Sequence, residues 1–202
     1  NMLLNGISLI GEKTTGQAEF GLFETLNGAV IKNVRMQFNE VSATEIPVVG
    51  ALCGTATDSI ILGVKVIGES NFVQGKNVVG GLIGMAIGNC EIQTVESNIS
   101  VHATYRKGSG ATEFTDLIYE KSGDTTTIST AAVSYAGGII GAVLASEENN
   151  MVVRTLKVSG AVSIGAERTG GIVAVNYAKL YDLNFVAQIS SSNAKQELSG
   201  DD

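Results

Sequence analysis

Two patterns of apolar positions alternate along the chain, and both repeat. One is a spaced run, clearest in Ile61-x-x-Val64-x-Val66-x-Gly68 and Val153-x-x-Leu156-x-Val158-x-Gly160. Versions of it stand at Leu4-x-x-Ile7-x-Leu9-x-Gly11, Ile31-x-x-Val34-x-Met36 and Leu180-x-x-Leu183-x-Phe185, and Ile92-x-x-Val95 is a truncated copy. The other is an apolar stretch broken by glycine: VGALCG at 49–54, VGGLIG at 79–84, AGGIIG at 136–141, TGGIVA at 169–174 and a weaker FGLFET at 20–25. The first glycines of these copies, Gly21, Gly50, Gly80, Gly137 and Gly170, are 29, 30, 57 and 33 residues apart. A dinucleotide-binding glycine loop occurs once, between a strand and a helix; a pattern that recurs at a fixed period marks a repeat architecture instead.

Alternating apolar positions, β-branched residues and the absence of a 3.6-residue period predict strands. A unit of about 30 residues is then one turn of a coil, with one strand around the glycine motif, one over the spaced motif and a third before the next glycine. In the second unit these fall at Val49 to Gly54, Ile60 to Ile67 and Phe72 to Val78. The expected fold is all-β: a right-handed parallel β-helix, or solenoid, of five to six turns in a single domain spanning 1–202. The hand follows from the preference for right-handed crossovers between parallel strands. Gly50, Gly54, Gly80, Gly81, Gly84, Gly137, Gly138, Gly141, Gly170 and Gly171 are read as structural, placed where the coil needs positive φ or close approach of neighbouring turns. Gly28, Asp58, Asn89 and Asn150 each stand three residues before a spaced motif. The last three are expected to form a turn ladder, sharing side-chain hydrogen bonds between turns stacked about 4.8 Å apart.

Composition narrows the function classes. The chain has 202 residues, 44% of them hydrophobic and 16% charged, with 25 glycines and one proline. A net charge of −7 argues against nucleic acid or an anionic membrane as partner, since both attract positive fields. No apolar run reaches the roughly 18–20 residues that span a bilayer, so no membrane insertion is expected. The start at Asn1 reads as a fragment of a larger chain with flanking domains. Cys53 occupies the register of Ile83, Ile140 and Val173 and is read as a buried hydrophobe; Cys90 stands at another register, so no bridge between the two is expected.

The stretches VGALCGTATDSIILGVKVIG and VGGLIGMAIGNCEI resemble the GLUG repeats of bacterial surface and secreted proteins. Such repeats occur in haemagglutinin-like adhesins, and similar ones in streptococcal immunoglobulin A metalloproteases outside the catalytic domain. The resemblance implies an extracellular or cell-surface module of a bacterial protein, acting in adhesion or scaffolding by contact with a host glycan or protein. An accessory domain of a secreted metalloprotease is the alternative, and a polysaccharide lyase or hydrolase a third.

The residues themselves point to no catalytic chemistry. The lone histidine, His102, lies in no H-E-x-x-H, and no partner spacing for a metal appears. No G-x-S-x-G is present; Gly108-Ser109-Gly110 reads as a loop tip. The column after the second apolar position of the spaced motif contains Ser8, Arg35, Lys65, Glu96, Lys157 and Asn184, mostly basic and without paired carboxylates. It is read as a solvated face, with a stripe for anionic ligands as the sharper alternative. No catalytic residue, cofactor or metal is therefore expected.

The long interval carries an insertion at about 104–130 that mixes aromatic and charged residues, as binding surfaces do. Tyr105, Arg106, Phe114 and Tyr119 are the ligand-contact candidates, with a packing flap or a partnerless loop as the other readings. Thr112 to Tyr119 fits a short helix capped by Thr112. Residues 190–202 lose apolar periodicity and read as a linker or frayed end.

Overall fold

Residues 2–12, 14–68, 71–105, 115–122, 125–131, 134–145, 149–160, 164–166 and 168–190 are described in the structure, a computed structural model. Parallel strands stack as a β-solenoid of about five turns, roughly 31 residues apart. No helix long and apolar enough to cross a membrane occurs among the described residues.

Each turn passes through three sheets. The first pairs Glu19–Phe20, Val48–Gly50, Val78–Gly80, Tyr135–Gly137 and Arg168–Gly170 in parallel. The second pairs Phe23–Asn27, Cys53–Thr57, Ile83–Ile87, Ile140–Leu144 and Val173–Asn176. The third takes up the spaced motifs, from Val30–Lys32 to Leu180–Val186, and the leg that returns to the next turn, such as Phe72–Gly75. The glycine motif is thus two strands rather than one, bending at Ala51-Leu52 and its counterparts. Side chains from all three sheets converge inside: Val49, Val79, Ile61, Ile92, Val153, Ile83 and Ile140 are fully buried. Burying such β-branched residues in columns is the main stabilising term of the coil.

The glycines act through close approach. A β-carbon at Gly80 would overlap the carbonyl of Ile83 in its own turn, and one at Gly81 would overlap the carbonyl of Gly138 in the next. Neither residue has a positive φ.

The spaced motif owes its two-residue gap to a corner. Asn33, Gly63, Thr94, Thr155 and Asp182 lie at the same register in five successive turns, and all are left-handed, with φ of 56°, 64°, 55°, 55° and 52°. One left-handed residue inserted into the alternation lets both flanking apolar positions face inward while the strand turns. In the second unit this splits the expected Ile60 to Ile67 strand into Ile60–Leu62 and Lys65–Ile67.

The first copy slips. Leu4 pairs with Met36 and Ile7 with Phe38, so Leu4-x-x-Ile7 is not stacked on Ile31-x-x-Val34, and Ser8 faces Glu40 instead of Arg35. The pairing with Val34–Ala43 has register shifts on both sides of Ile7, which absorb the difference.

The truncated third copy also has a physical form. Ser97 takes the place of Val66 and Val158, is fully buried, and its hydroxyl has no hydrogen-bond partner. Val158 packs beside Gly138 as Ser97 packs beside Gly81, so the site has room for valine. Ser97→Val should therefore stabilise the protein by about 1 kcal/mol, since an orphaned buried hydroxyl costs about that much. A raised urea midpoint with an unchanged slope would show it.

The expected helix over Thr112 to Tyr119 is not formed where the structure describes it. Thr115–Ser122 is a strand paired antiparallel with Thr125–Ala131, a hairpin outside the coil's parallel sheets. Thr115, Ile118 and Tyr119 are residue types that favour a strand.

Candidate functional site

The left-handed column makes a corner on the solvent side of the third sheet, and two stacks of polar side chains run beside it. On one side Lys65, Glu96 and Lys157 occupy successive turns. Lys65 Nζ donates to Glu96 Oε2 at 2.7 Å and Lys157 Nζ lies 3.2 Å from Glu96 Oε1, so one carboxylate holds two ammonium groups. On the other side Arg154 Nε donates to Gln93 Oε1 at 2.8 Å, and Gln93 Nε2 donates to Glu91 Oε1 at 2.5 Å. Between the left-handed residues and the lysine stack runs a trough of about 320 Å³, lined by Gly63, Lys65, Thr94, Glu96, Thr155 and Lys157. A second, of about 380 Å³, shares Gly63 and Lys65 and extends over Asn33, Arg35 and Leu3. Arg35 is exposed and pairs with no carboxylate among the described residues.

The hydrogen bond from Lys65, reinforced by Lys157, holds the Glu96 carboxyl below its ordinary range. A depressed folded-state pKa gives stability that is present above the unfolded carboxylate value and lost as pH falls through the folded one. Glu96→Gln should thus lower stability modestly at neutral pH, by less than about 1 kcal/mol for so exposed a pair, and the gap to the wild type should close in acid. Urea titrations at pH 7 and below pH ~4 would read it directly.

Arg35, Lys65, Glu96, Lys157 and Asn184 do form one column. The residues on the other side, Gln93 and Arg154, and the left-handed Thr94 and Thr155 were missed in the sequence reading. The x-x gap of the spaced motif was the available signal.

Along another corner, Asp58 Oδ1 accepts from the backbone N–H of Asn89 at 2.8 Å, and Asn89 Oδ1 accepts from the N–H of Asn150 at 2.9 Å. The ladder thus runs mainly from side chain to backbone, and Asn89 Nδ2 also donates to Asp58 Oδ1 at 3.4 Å. Asp58 is left-handed, φ 49°, but in the next turn Gly88 adopts that conformation, because one extra residue enters the corner there.

The insertion candidates fare differently. Tyr105 is only 5% exposed, and its N–H donates to Lys76 O at 2.9 Å, so it still belongs to the coil's ladder and is not a surface contact. Tyr119 lies on the hairpin strand opposite Ile128. Arg106, Thr112 and Phe114 lie outside the described residues. His102 sits on the outer face of Ser100–Ala103 with its ring stacked on Phe72, centroids 5.8 Å apart. At the other end, Ser190 is tied to the coil through Ile164 O, and 191–202 lie outside the described residues.

Both cysteines are buried and unbridged. Burial pushes the Cys53 thiol well above its ordinary range and raises that of Cys90, whose sulfur lies 3.3 Å from Ile87 O and 3.5 Å from Ala56 O. Since the thiolate is the reactive form, iodoacetamide at pH 8 should label neither in the native protein and both in denaturant. Mass spectrometry of labelled protein would show it, and labelling of native protein would mean that the coil opens locally.

No protein-family model matches the chain, and neither a search of curated proteins nor one of solved structures finds a match.

Proposed function

We propose that this chain is a non-catalytic β-solenoid module of a bacterial surface or secreted protein, acting in adhesion or scaffolding through contact with a host glycan or protein. The observation that carries this reading is the in-register exposure of side chains. Stacked turns present Arg35, Lys65, Glu96 and Lys157 as a straight column on one face, and a rigid coil holds such a column at constant spacing over its length. A periodic surface suits a periodic or multivalent ligand, because each turn adds the same contact. The likeness of the repeats to GLUG repeats supports the same setting.

The test is binding of labelled protein to host cells, with the intact chain compared with a version lacking 106–133. Specific, saturable binding by the intact chain is the expected result, and its absence would sink the adhesion reading. Equal binding by both would agree with a contact on the coil's column, and loss of binding on removing the insertion would move the contact there.

A further inference from the structure

On the reading of this chain as a non-catalytic contact module, we infer that the trough beside the left-handed corner binds a linear acidic polysaccharide lying along the coil axis. Arg35, Lys65 and Lys157 face its carboxylates or sulfates, and Thr94 and Thr155 its hydroxyls.

Three observations meet at this place. The first is charge. On a chain of net −7, the columns flanking the corner gather Lys32, Arg35, Lys65, Arg154 and Lys157, five of its 13 basic residues, against Glu91, Glu96 and Asp182. Glu96 is shared by two lysines and Arg35 pairs with no carboxylate among the described residues, so positive charge is left over where the two troughs join at Lys65. The second is shape. The troughs share Gly63 and Lys65 and lie next to each other across the turns rather than along a strand.

The third is backbone conformation. At the left-handed position three turns use Asn33, Gly63 and Asp182, residues that adopt it readily, whereas the third and fourth turns use threonine. A β-branched residue there costs about 1–2 kcal/mol that glycine would avoid. Both threonines are exposed and line the trough beside Lys65, Glu96 and Lys157. Folding does not call for a hydroxyl at that cost, but a ligand does.

Spacing selects the polymer. Turns repeat at about 4.8 Å, whereas an extended peptide presents same-side groups about 6.6 Å apart and falls out of step within a few turns. The net negative chain repels every polyanion, nucleic acid included, so the basic column itself has to supply the attraction. A uronan or sulfated glycan carries a charged group on each sugar unit and can rotate at each glycosidic link to turn those groups toward Arg35, Lys65 and Lys157. Its hydroxyls both donate to and accept from threonine, whereas an acidic polypeptide offers acceptors and only its backbone N–H groups as donors.

Binding is measured by titrating the full chain with polygalacturonate, dextran sulfate, neutral dextran and polyglutamate at low and moderate salt. Binding of polygalacturonate, dextran sulfate or both, weakened by salt and absent for neutral dextran, is expected, and the first two separate a carboxylate ligand from a sulfate one. The double variant Arg35→Gln, Lys65→Gln should weaken it about tenfold or more. Thr94→Gly with Thr155→Gly should weaken it several-fold while leaving the melting temperature unchanged or raised, a result that misfolding does not mimic. The inference is overturned if neither acidic polysaccharide binds, if polyglutamate binds as well as they do, or if both variants bind like the wild type. Cell binding without polysaccharide binding would remove this inference and leave the adhesion reading in place. Release of shortened or unsaturated sugar products would remove the non-catalytic reading and leave the ligand class standing.

Discussion

Gly80→Ala is expected to destabilise the protein by about 3 kcal/mol or more, enough to prevent folding of a marginally stable domain. The added carbon would overlap the carbonyl of Ile83 and lie 2.8 Å from the amide nitrogen of Gly141. Both are backbone atoms of strands paired into the second sheet, so neither can move without breaking a ladder. The same overlap recurs at Gly137 with Ile140 and at Gly170 with Val173, which makes it a property of the corner and not of one turn. Gly165→Ala is the control. Its nearest neighbour is His102 Cδ2 at 3.8 Å, ordinary contact distance, and its stability should stay within about 0.5 kcal/mol of the wild type. Urea midpoints of the two variants measure the contrast, and equal effects would mean that the close approach at Gly80 is not rigid.

Truncating the core at its centre should have an effect of similar size. Ile92 is fully buried between Ile61 and Val153, which pair with it on the turns before and after. Ile92→Ala removes methyl groups with neighbours on both axial sides, and stacked turns close the cavity poorly, so a loss of about 2–4 kcal/mol is expected. Leu180, in the same column, stacks on Val153 alone among the described residues and is partly exposed, and Leu180→Ala should cost clearly less. Equal losses would mean that Leu180 is packed as tightly as Ile92.

Much of this architecture was legible in the order of residues. The two recurring motifs gave the period and the parallel stacking, and Cys53 was placed at the register of Ile83, Ile140 and Val173, where the pairing puts it. Corners were harder to see. Alternation says which side chains point inward but not where the strand bends, so Val49 to Gly54 reads as one strand although the chain turns at Ala51-Leu52. At the left-handed column, Gly63 and Asn33 are residues expected at such a turn, but Thr94 and Thr155 conceal it. Leu4-x-x-Ile7-x-Leu9 matches the motif and still pairs elsewhere, because a matching pattern does not fix register and shifts on both sides of Ile7 absorb the difference. Tyr105 shows the limit of composition: an aromatic beside a charged run resembles a contact residue, yet the coil claims it for packing.

Where the insertion leaves the coil, the departing and returning strands are fastened to adjacent residues of the preceding turn: Tyr105 N–H to Lys76 O and Tyr135 N–H to Asn77 O. The two ends of the excursion are therefore anchored side by side whatever lies between them. Closing a loop on ends already held together adds an entropy that grows only with the logarithm of its length, about 0.6 kcal/mol for each doubling. The corner between Lys76 and Asn77 is thus a docking port for foreign sequence, at which segments of very different length can be exchanged while the register of the turns above and below stays the same.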